Sequence, residues 1–222
     1  MNRFKEYKNL YNVYRKIIRK CLIAFIVLIV LFILSFMLIM FGMPIDIMFA
    51  VVIFFFGAIA AGIICLLVGP LTAKQLAQFD PPALSRINET LPTIKMQDGF
   101  GVTGDAIVVV RAVRLFLYPV KNALWIYKNV TTTMLYGFIP IHKGSSLVVA
   151  GKNRKSFSIG IRNKSEVVDF LQSELEKFRR GIFYGFNDEL SSLYYNHIDK
   201  MIAMSAEYDS QYNEMTFENG QV

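Results

Sequence analysis

The sequence predicts an α+β membrane protein in which a transmembrane helical hairpin is followed by an antiparallel β domain with C-terminal helices. The hairpin is indicated by two apolar runs without a charged residue, 21–41 and 47–68. A bilayer core of about 30 Å requires about 20 helical residues, and both runs have that length. The β domain is indicated by short alternating runs after residue 100, and the last helices by helical spacing after residue 165.

The charge is unevenly distributed along the chain. The 222 residues are 54% hydrophobic and carry a net charge of +7. Residues 1–20 contain seven Lys or Arg and one Glu, whereas residues 181–222 contain one Lys and seven acidic residues. A basic segment directly before a membrane helix favours anionic lipid over nucleic acid as its partner.

These shifts in composition divide the chain into five segments. They are a basic amphipathic segment (1–20), the transmembrane hairpin (21–68), a juxtamembrane connector (69–98), the β domain with its helices (99–206) and an acidic tail predicted to be disordered (207–222). The connector is expected to begin where Gly69 and Pro70 end the second span, and to contain a short helix over 83–90.

The first segment has the spacing of an amphipathic helix. Apolar and aromatic residues recur every three or four positions between Phe4 and Ile18, and basic residues occupy the other faces. Such a helix either lies in the headgroup region, or is a basic flank of the first span or a helix packed on the soluble domain. The candidate lipid-headgroup contacts in this segment are Arg15, Lys16, Arg19 and Lys20.

The flanks of the spans predict the orientation of the hairpin. Basic residues precede the first span, whereas the link 42–46 has none and one acid. The positive-inside rule therefore places the N-terminus in the cytoplasm, and a second span returns the chain to that side. We expect a multi-pass protein of the plasma membrane with both termini cytoplasmic.

A row of small residues four positions apart marks the second span: Gly57, Ala61, Cys65 and Gly69. Small residues let helix backbones approach closely in lipid, so this row is a candidate helix-packing surface. It receives either the first span of the same chain or a second copy. The two cysteines, Cys21 and Cys65, form no CxxC motif, and Cys21 is either an acylation site at the membrane boundary or a small apolar residue.

The β domain is punctuated by turn residues. The predicted strands lie near 100–103, 106–111, 114–118, 122–129, 131–140, 145–150 and 155–161. A helix is expected from Asn163 or Ser165 to Arg180, with an apolar face ending at Phe178. A second helix is expected over 187–206, and its predicted buried side is Leu190, Leu193, Tyr194, His197, Met201 and Ile202.

Seven antiparallel strands closed by a C-terminal helix follow the plan of a pleckstrin-homology (PH)-like barrel. The chain resembles a group of uncharacterised bacterial membrane proteins with two spans followed by a PH-like domain. The resemblance covers most of residues 20–200 and depends on residues 125–127, Thr131 to Thr133, Gly137 with Pro140, and residues 182–186. It implies a PH-like fold for residues 99–206 and no particular activity.

The sequence contains no recognisable catalytic motif or cofactor motif. His142 and His197 lack a second ligand at metal-binding spacing, and the Gly-rich residues 99–104 match no phosphate-binding loop. We therefore expect no enzyme, no metal, no cofactor, no small-molecule substrate and no nucleic-acid partner. The remaining candidates for lipid-headgroup contact are Lys152, Arg154 and Lys155, which cluster in one predicted turn.

The sequence therefore favours a membrane-anchored cytoplasmic interaction or scaffold module. Its expected partners are membrane lipid and either another protein or a second copy of the chain. One alternative is a module that senses anionic lipid. The other is an accessory subunit of a transporter or membrane enzyme.

Overall fold

The computed structural model describes residues 6–40, 46–111, 114–135, 139–161 and 166–219. It has an α+β fold with two long apolar N-terminal helices and two open sheets. The helices are α1 (Lys8–Met40), α2 (Asp46–Leu76), α3 (Pro81–Thr90), α4 (Glu166–Leu175), α5 (Asp188–Asn196) and α6 (Ile198–Asn219). The strands are β1 (Phe100–Val102), β2 (Ala106–Arg111), β3 (Arg114–Pro119), β4 (Ala123–Leu135), β5 (Ile139–Gly151), β6 (Ser156–Ile161) and β7 (Phe183–Tyr184).

The chain divides into two compact units. Unit 1 comprises Met1–Thr93 and Val108–Leu117, and unit 2 comprises Ile94–Ile107 and Tyr118–Val222. Unit 1 contains the long helices, and unit 2 contains most of the β structure and the C-terminal helices.

Helices α1 and α2 pack side by side as an antiparallel hairpin. The rings of Phe32 and Phe55 lie 5.4 Å apart. A Cβ atom placed on Gly57 would lie 3.5 Å from Leu28, and one on Gly62 would lie 3.1 Å from Phe25. Both helices are long and apolar enough to cross a membrane.

Residues 8–20 are the first turns of α1 and do not form a separate helix. Leu10 and Ile17 are buried there. The backbone N–H of Asn9 donates to Oδ1 of Asn88 at 2.7 Å, and its side-chain Nδ2 donates to the Asn88 carbonyl at 2.8 Å. This segment is therefore a helical flank of the first span that contacts α3.

Helix α2 does not end at Gly69 and Pro70 as the sequence predicts, but continues to Leu76. The Thr72 hydroxyl donates to the Val68 carbonyl at 2.8 Å, and Gln75 accepts from the Leu117 N–H at 3.3 Å. A proline inside a helix removes one backbone hydrogen bond and crowds the preceding turn. Burial of Thr72, Gln75 and Leu76 offsets that cost and keeps the helix intact.

The strands form two sheets, one in the order β1-β2-β3 and one in the order β6-β5-β4-β7. A closed barrel is not shown by these pairings. The strands expected over 122–129 and 131–140 are corrected: β4 runs through Val130 to Leu135 as one strand, whereas Ile139 and Pro140 belong to β5. Strands β4 and β5 pair from Ala123↔Gly151 to Leu135↔Ile139. Gly137, which falls within the strand expected over 131–140, and the helix cap expected at Asn163 or Ser165 lie outside the described residues.

The C-terminal helices differ from the prediction in three respects. Helix α4 ends at Leu175, before Arg180, and leaves Phe178 exposed. The helix expected over 187–206 is broken at His197, which has φ −135° and ψ 45° and is exposed rather than buried. Residues 207–219, expected to be disordered, continue helix α6. The contacts of Asp209 with Arg179 and Gly181 hold helix α6 at the start of this segment.

Candidate interaction surface

A buried arginine organises the C-terminal part of unit 2. Arg179, 9% exposed, follows α4 and donates from Nη1 to the carbonyls of Val120, at 2.9 Å, and Ala123. Its Nη2 donates to the Ser205 hydroxyl at 2.7 Å, and its Nε pairs with Asp209 Oδ2 at 2.8 Å. A planar guanidinium can satisfy several acceptors at once, which an ammonium group cannot do in this geometry.

Asp209 completes this arrangement, which we call the Arg179–Asp209 clamp. Its second oxygen, Oδ1, accepts from the Gly181 N–H at 2.7 Å. The clamp therefore connects the short 3₁₀ turn Val120–Asn122, the chain after α4 and the helix α6. These bonds hold the acidic C-terminal helix α6 against the rest of unit 2. A polar helix without such tertiary contacts is only marginally stable in water.

The basic turn, residues 151–155, joins β5 to β6. The Lys152 N–H donates to the Asn122 carbonyl at 2.9 Å, and the Arg154 N–H donates to the Gly151 carbonyl at 3.0 Å. Arg154 has φ +59°, a conformation that few residues other than glycine adopt. The turn brings Lys152, Arg154 and Lys155 together, with Arg154 and Lys155 exposed.

The environment of Lys152 distinguishes it from the other two basic residues. Its side chain is half-buried. Burial, and then the nearby Arg179 guanidinium, lower the pKa of the Lys152 ammonium, while Asp209 opposes them. The basic turn therefore has two exposed charges, Arg154 and Lys155, and one that is partly desolvated, Lys152.

The second surface is the aromatic patch, formed by Tyr127, Phe186 and Tyr195 over the buried Trp125. The indole Nε1 of Trp125 donates to the Gly185 carbonyl at 2.6 Å. The rings of Tyr127 and Phe186 lie 4.1 Å and 5.7 Å from the Trp125 ring. Phe186 is 58% exposed and Tyr195 is 59% exposed, although Trp125 is 0% exposed.

Backbone conformation and a further tyrosine hold this patch in place. Gly185, at φ +80°, allows the sharp turn that presents Phe186. Tyr194 packs 5.7 Å from Trp125 and 5.3 Å from Tyr195. Burial, and then contact with the Tyr195 hydroxyl, raise the pKa of Tyr127. The patch is therefore a set of exposed rings on a rigid aromatic base.

The sequence-predicted site residues separate into groups that belong to different units. Arg15, Lys16, Arg19 and Lys20 are exposed on α1 in unit 1, whereas the basic turn belongs to unit 2. Among the helix-packing residues, Gly57 faces Leu28 and Cys65 contacts Cys21, while Ala61 is half-buried. The surroundings of Gly69 lie outside what the structure describes.

Sequence reasoning missed the clamp and the aromatic patch. Arg179 and Asp209 stand 30 positions apart in the chain, with no motif that joins them. A usable signal for the patch was the density of aromatic residues in 182–195, together with the only tryptophan in the sequence, Trp125. Within the described residues, no three His, Cys, Asp or Glu side chains are grouped to hold a metal ion.

No family model, curated protein or solved structure matches this chain.

Two tyrosines near the basic turn, Tyr118 and Tyr194, provide a matched test of how their hydroxyl groups affect stability. In the described part of the chain the buried Tyr118 hydroxyl has no hydrogen-bond partner, whereas the Tyr194 hydroxyl donates to the Gly151 carbonyl at 3.2 Å. We expect Tyr118→Phe to raise the free energy of unfolding by about 1 kcal/mol, and Tyr194→Phe to lower it by about 1 kcal/mol. Urea titrations of the full-length protein in mild detergent, followed by Trp125 fluorescence, measure both.

The buried Tyr118 hydroxyl also makes the stability of the fold depend on pH. Burial raises the pKa of Tyr118 from 10.0 to about 12, with a smaller contribution from Tyr194. A phenol with a raised pKa in the folded state stabilises the fold below the unfolded pKa, and this contribution is lost as pH rises from 10 to 12. Tyr118→Phe should therefore lose less stability than wild type across that range. Equal losses in the two proteins would contradict the burial of the Tyr118 hydroxyl.

Proposed function

We propose that this protein is a membrane-anchored, non-enzymatic interaction module, in which the helical hairpin fixes a PH-like domain at the cytoplasmic face of the plasma membrane. Both termini are cytoplasmic in this proposal. Two helices long and apolar enough to span a membrane support the anchor. Six strands before α4, of which β4, β5 and β6 pair antiparallel, support the PH-like plan, which requires the two sheets to close into one barrel.

The aromatic patch is the observation that supports this proposal most directly. Exposed aromatic residues on a rigid base are typical of the residues that contribute most to protein–protein binding. Little conformational entropy is lost when such side chains are buried, because the Trp125 base already holds Phe186. We infer that the patch contacts a protein partner or a second copy of the chain.

The basic turn supports a second candidate function, which is binding of anionic lipid. Three basic side chains lie in one short turn, and Lys152 is partly desolvated before any ligand arrives. Each basic residue near an anionic membrane surface contributes about 1 kcal/mol of attraction. An accessory subunit of a transporter or membrane enzyme would use the aromatic patch in the same way as a scaffold.

One purification distinguishes these functions. The tagged full-length protein is extracted in mild detergent, and the retained proteins and phospholipids are identified by mass spectrometry. Two variants are purified in parallel, Phe186→Ala with Tyr195→Ala, and the charge reversal of Lys152, Arg154 and Lys155 to Glu.

We expect a stoichiometric protein partner or self-association that the aromatic variant reduces at least about tenfold, since each lost hot-spot ring costs more than 1 kcal/mol. The charge-reversal variant should retain it. If the aromatic variant retained the same protein partner or self-association as wild type, the proposed interaction through the aromatic patch would be contradicted. Loss of anionic phospholipid from the charge-reversal variant alone, with no protein retained by wild type, would assign lipid binding instead.

A further inference from the structure

The two cysteines of the chain lie near each other where the two long helices pack together. Cys21 lies on α1 and is buried, and Cys65 lies on α2 and is half-buried. The Cys65 thiol lies close enough to the Cys21 thiol to act on it electrostatically. Both are free thiols.

Three other contacts give the same register independently of the thiols. Phe25 faces Gly62, Leu28 faces Gly57, and Phe32 packs on Phe55. As the residue number rises along α1, it falls by a similar amount along α2. Extending this register by one turn toward the start of α1 places Cys21 opposite Cys65. The contact is therefore a property of the helix pairing as a whole.

Two glycines of α2 explain why two thiols can approach in this position. Gly57 and Gly62 leave room for the side chains of Leu28 and Phe25, which allows close approach of the two backbones. The thiols lie at the end of the hairpin away from its link, residues 41–45. A covalent bond there would tie together helices that the link already joins at their other ends.

We propose that Cys21 and Cys65 form a modification site, at which a lipid-soluble quinone oxidises the two thiols to an intramolecular disulfide. One S–S bond forms and two S–H bonds are broken. The two electrons and two protons pass to the quinone, which becomes the hydroquinone. A thiol reductant reverses the step by thiol–disulfide exchange.

The surroundings of the thiols favour this class of oxidant. Leu22, Ile64 and Leu66, the sequence neighbours of the two cysteines, are apolar and face outward from the hairpin. Reagents dissolved in the bilayer therefore reach this surface more readily than charged ones do. The inference does not depend on the proposed interaction function.

The test uses the full-length protein in phospholipid vesicles, treated with a short-chain ubiquinone analogue. The protein is then denatured in detergent, its free thiols are labelled with a polyethylene-glycol maleimide, and the products are separated without reductant. Because the chain has two cysteines, the number of labels reports both sites directly. Intact mass spectrometry is run on the same samples.

We expect wild type to lose both labels together, to remain a single chain, and to lose the mass of two hydrogen atoms. Dithiothreitol should restore both labels. Cys21→Ser and Cys65→Ser should each retain one reactive thiol. As a matched control, Cys65→Ser with Ile64→Cys moves the thiol by one position to a side chain that is 41% exposed, and it should form no intrachain bond.

Three results would overturn the proposal. They are full labelling of wild type after oxidation, a mass increase that shows a quinone adduct, and crosslinking between chains in place of the intrachain bond. Equal protection in the Ile64→Cys control would overturn it as well, because it would show that the observed register does not determine the reaction.

Discussion

Replacing Arg179 with alanine is expected to lower the free energy of unfolding by about 3 kcal/mol, the lower end of the range for breaking a buried ion pair, because the Asp209 side chain is 28% exposed. The substitution leaves Asp209 without its cationic partner and removes the donors to the Val120 and Ala123 carbonyls. Since Ser205 and Asp209 lie on α6, we also expect this helix to separate from the rest of unit 2 before the sheet unfolds.

Trp125 reports this change without any added label. It is the only tryptophan, and it belongs to the same buried cluster as Tyr194, Ile198 and Met201. Urea titration of the full-length protein in mild detergent, read by Trp125 fluorescence, gives the loss of stability. The exposed Lys177, which forms a surface ion pair with Glu174, provides the control, and Lys177→Ala should change stability by less than about 1 kcal/mol. Similar midpoints for the two variants would contradict the structural importance of the clamp.

Gly181→Ala is expected to lower the free energy of unfolding by about 1–3 kcal/mol, the usual cost of overpacking a well-filled site. The added Cβ would meet the Ser205 carbonyl and lie 2.7 Å from Cγ of Asp209. Neither neighbour can move freely, because one is helix backbone and the other is held by Arg179. The methyl group must therefore displace α6 or open the clamp.

Gly160→Ala is the matched control for this second prediction. Gly160 lies in β6, and a Cβ there would have nothing within 4 Å. We expect its stability to equal or exceed that of wild type, since alanine reduces the entropy of the unfolded chain. Urea midpoints and far-ultraviolet circular dichroism compare the two variants. A Gly181→Ala protein as stable as Gly160→Ala would show that the close contact with α6 is wrong.

The helical hairpin and the β domain were predictable because their signals are local. Uncharged runs of sufficient length specify helices for an apolar solvent, and dense β-branched residues such as Val108 to Val110 favour strands. Where local signals and tertiary contacts disagreed, the prediction was wrong. Pro70 indicated a helix end, but the buried side chains of Thr72 and Gln75 continue α2 beyond it.

The candidate site was predictable only where its residues are neighbours in sequence. Lys152, Arg154 and Lys155 form one turn, and that cluster was found from the sequence. The aromatic patch combines Tyr127 on β4 with Phe186 and Tyr195, residues far along the chain. Their proximity depends on where α5 packs, which no local pattern specifies.

The sequence by itself determined the two apolar helices, the change to β structure and the basic turn, because hydrophobic length, periodicity and turn residues act over a few positions. Only the tertiary structure decided that residues 207–219 are helical, that Arg179 is buried and that Cys21 meets Cys65. Each of these depends on a partner distant in the chain. The energy of a buried ion pair or a close helix contact exists only after the fold has brought its two sides together.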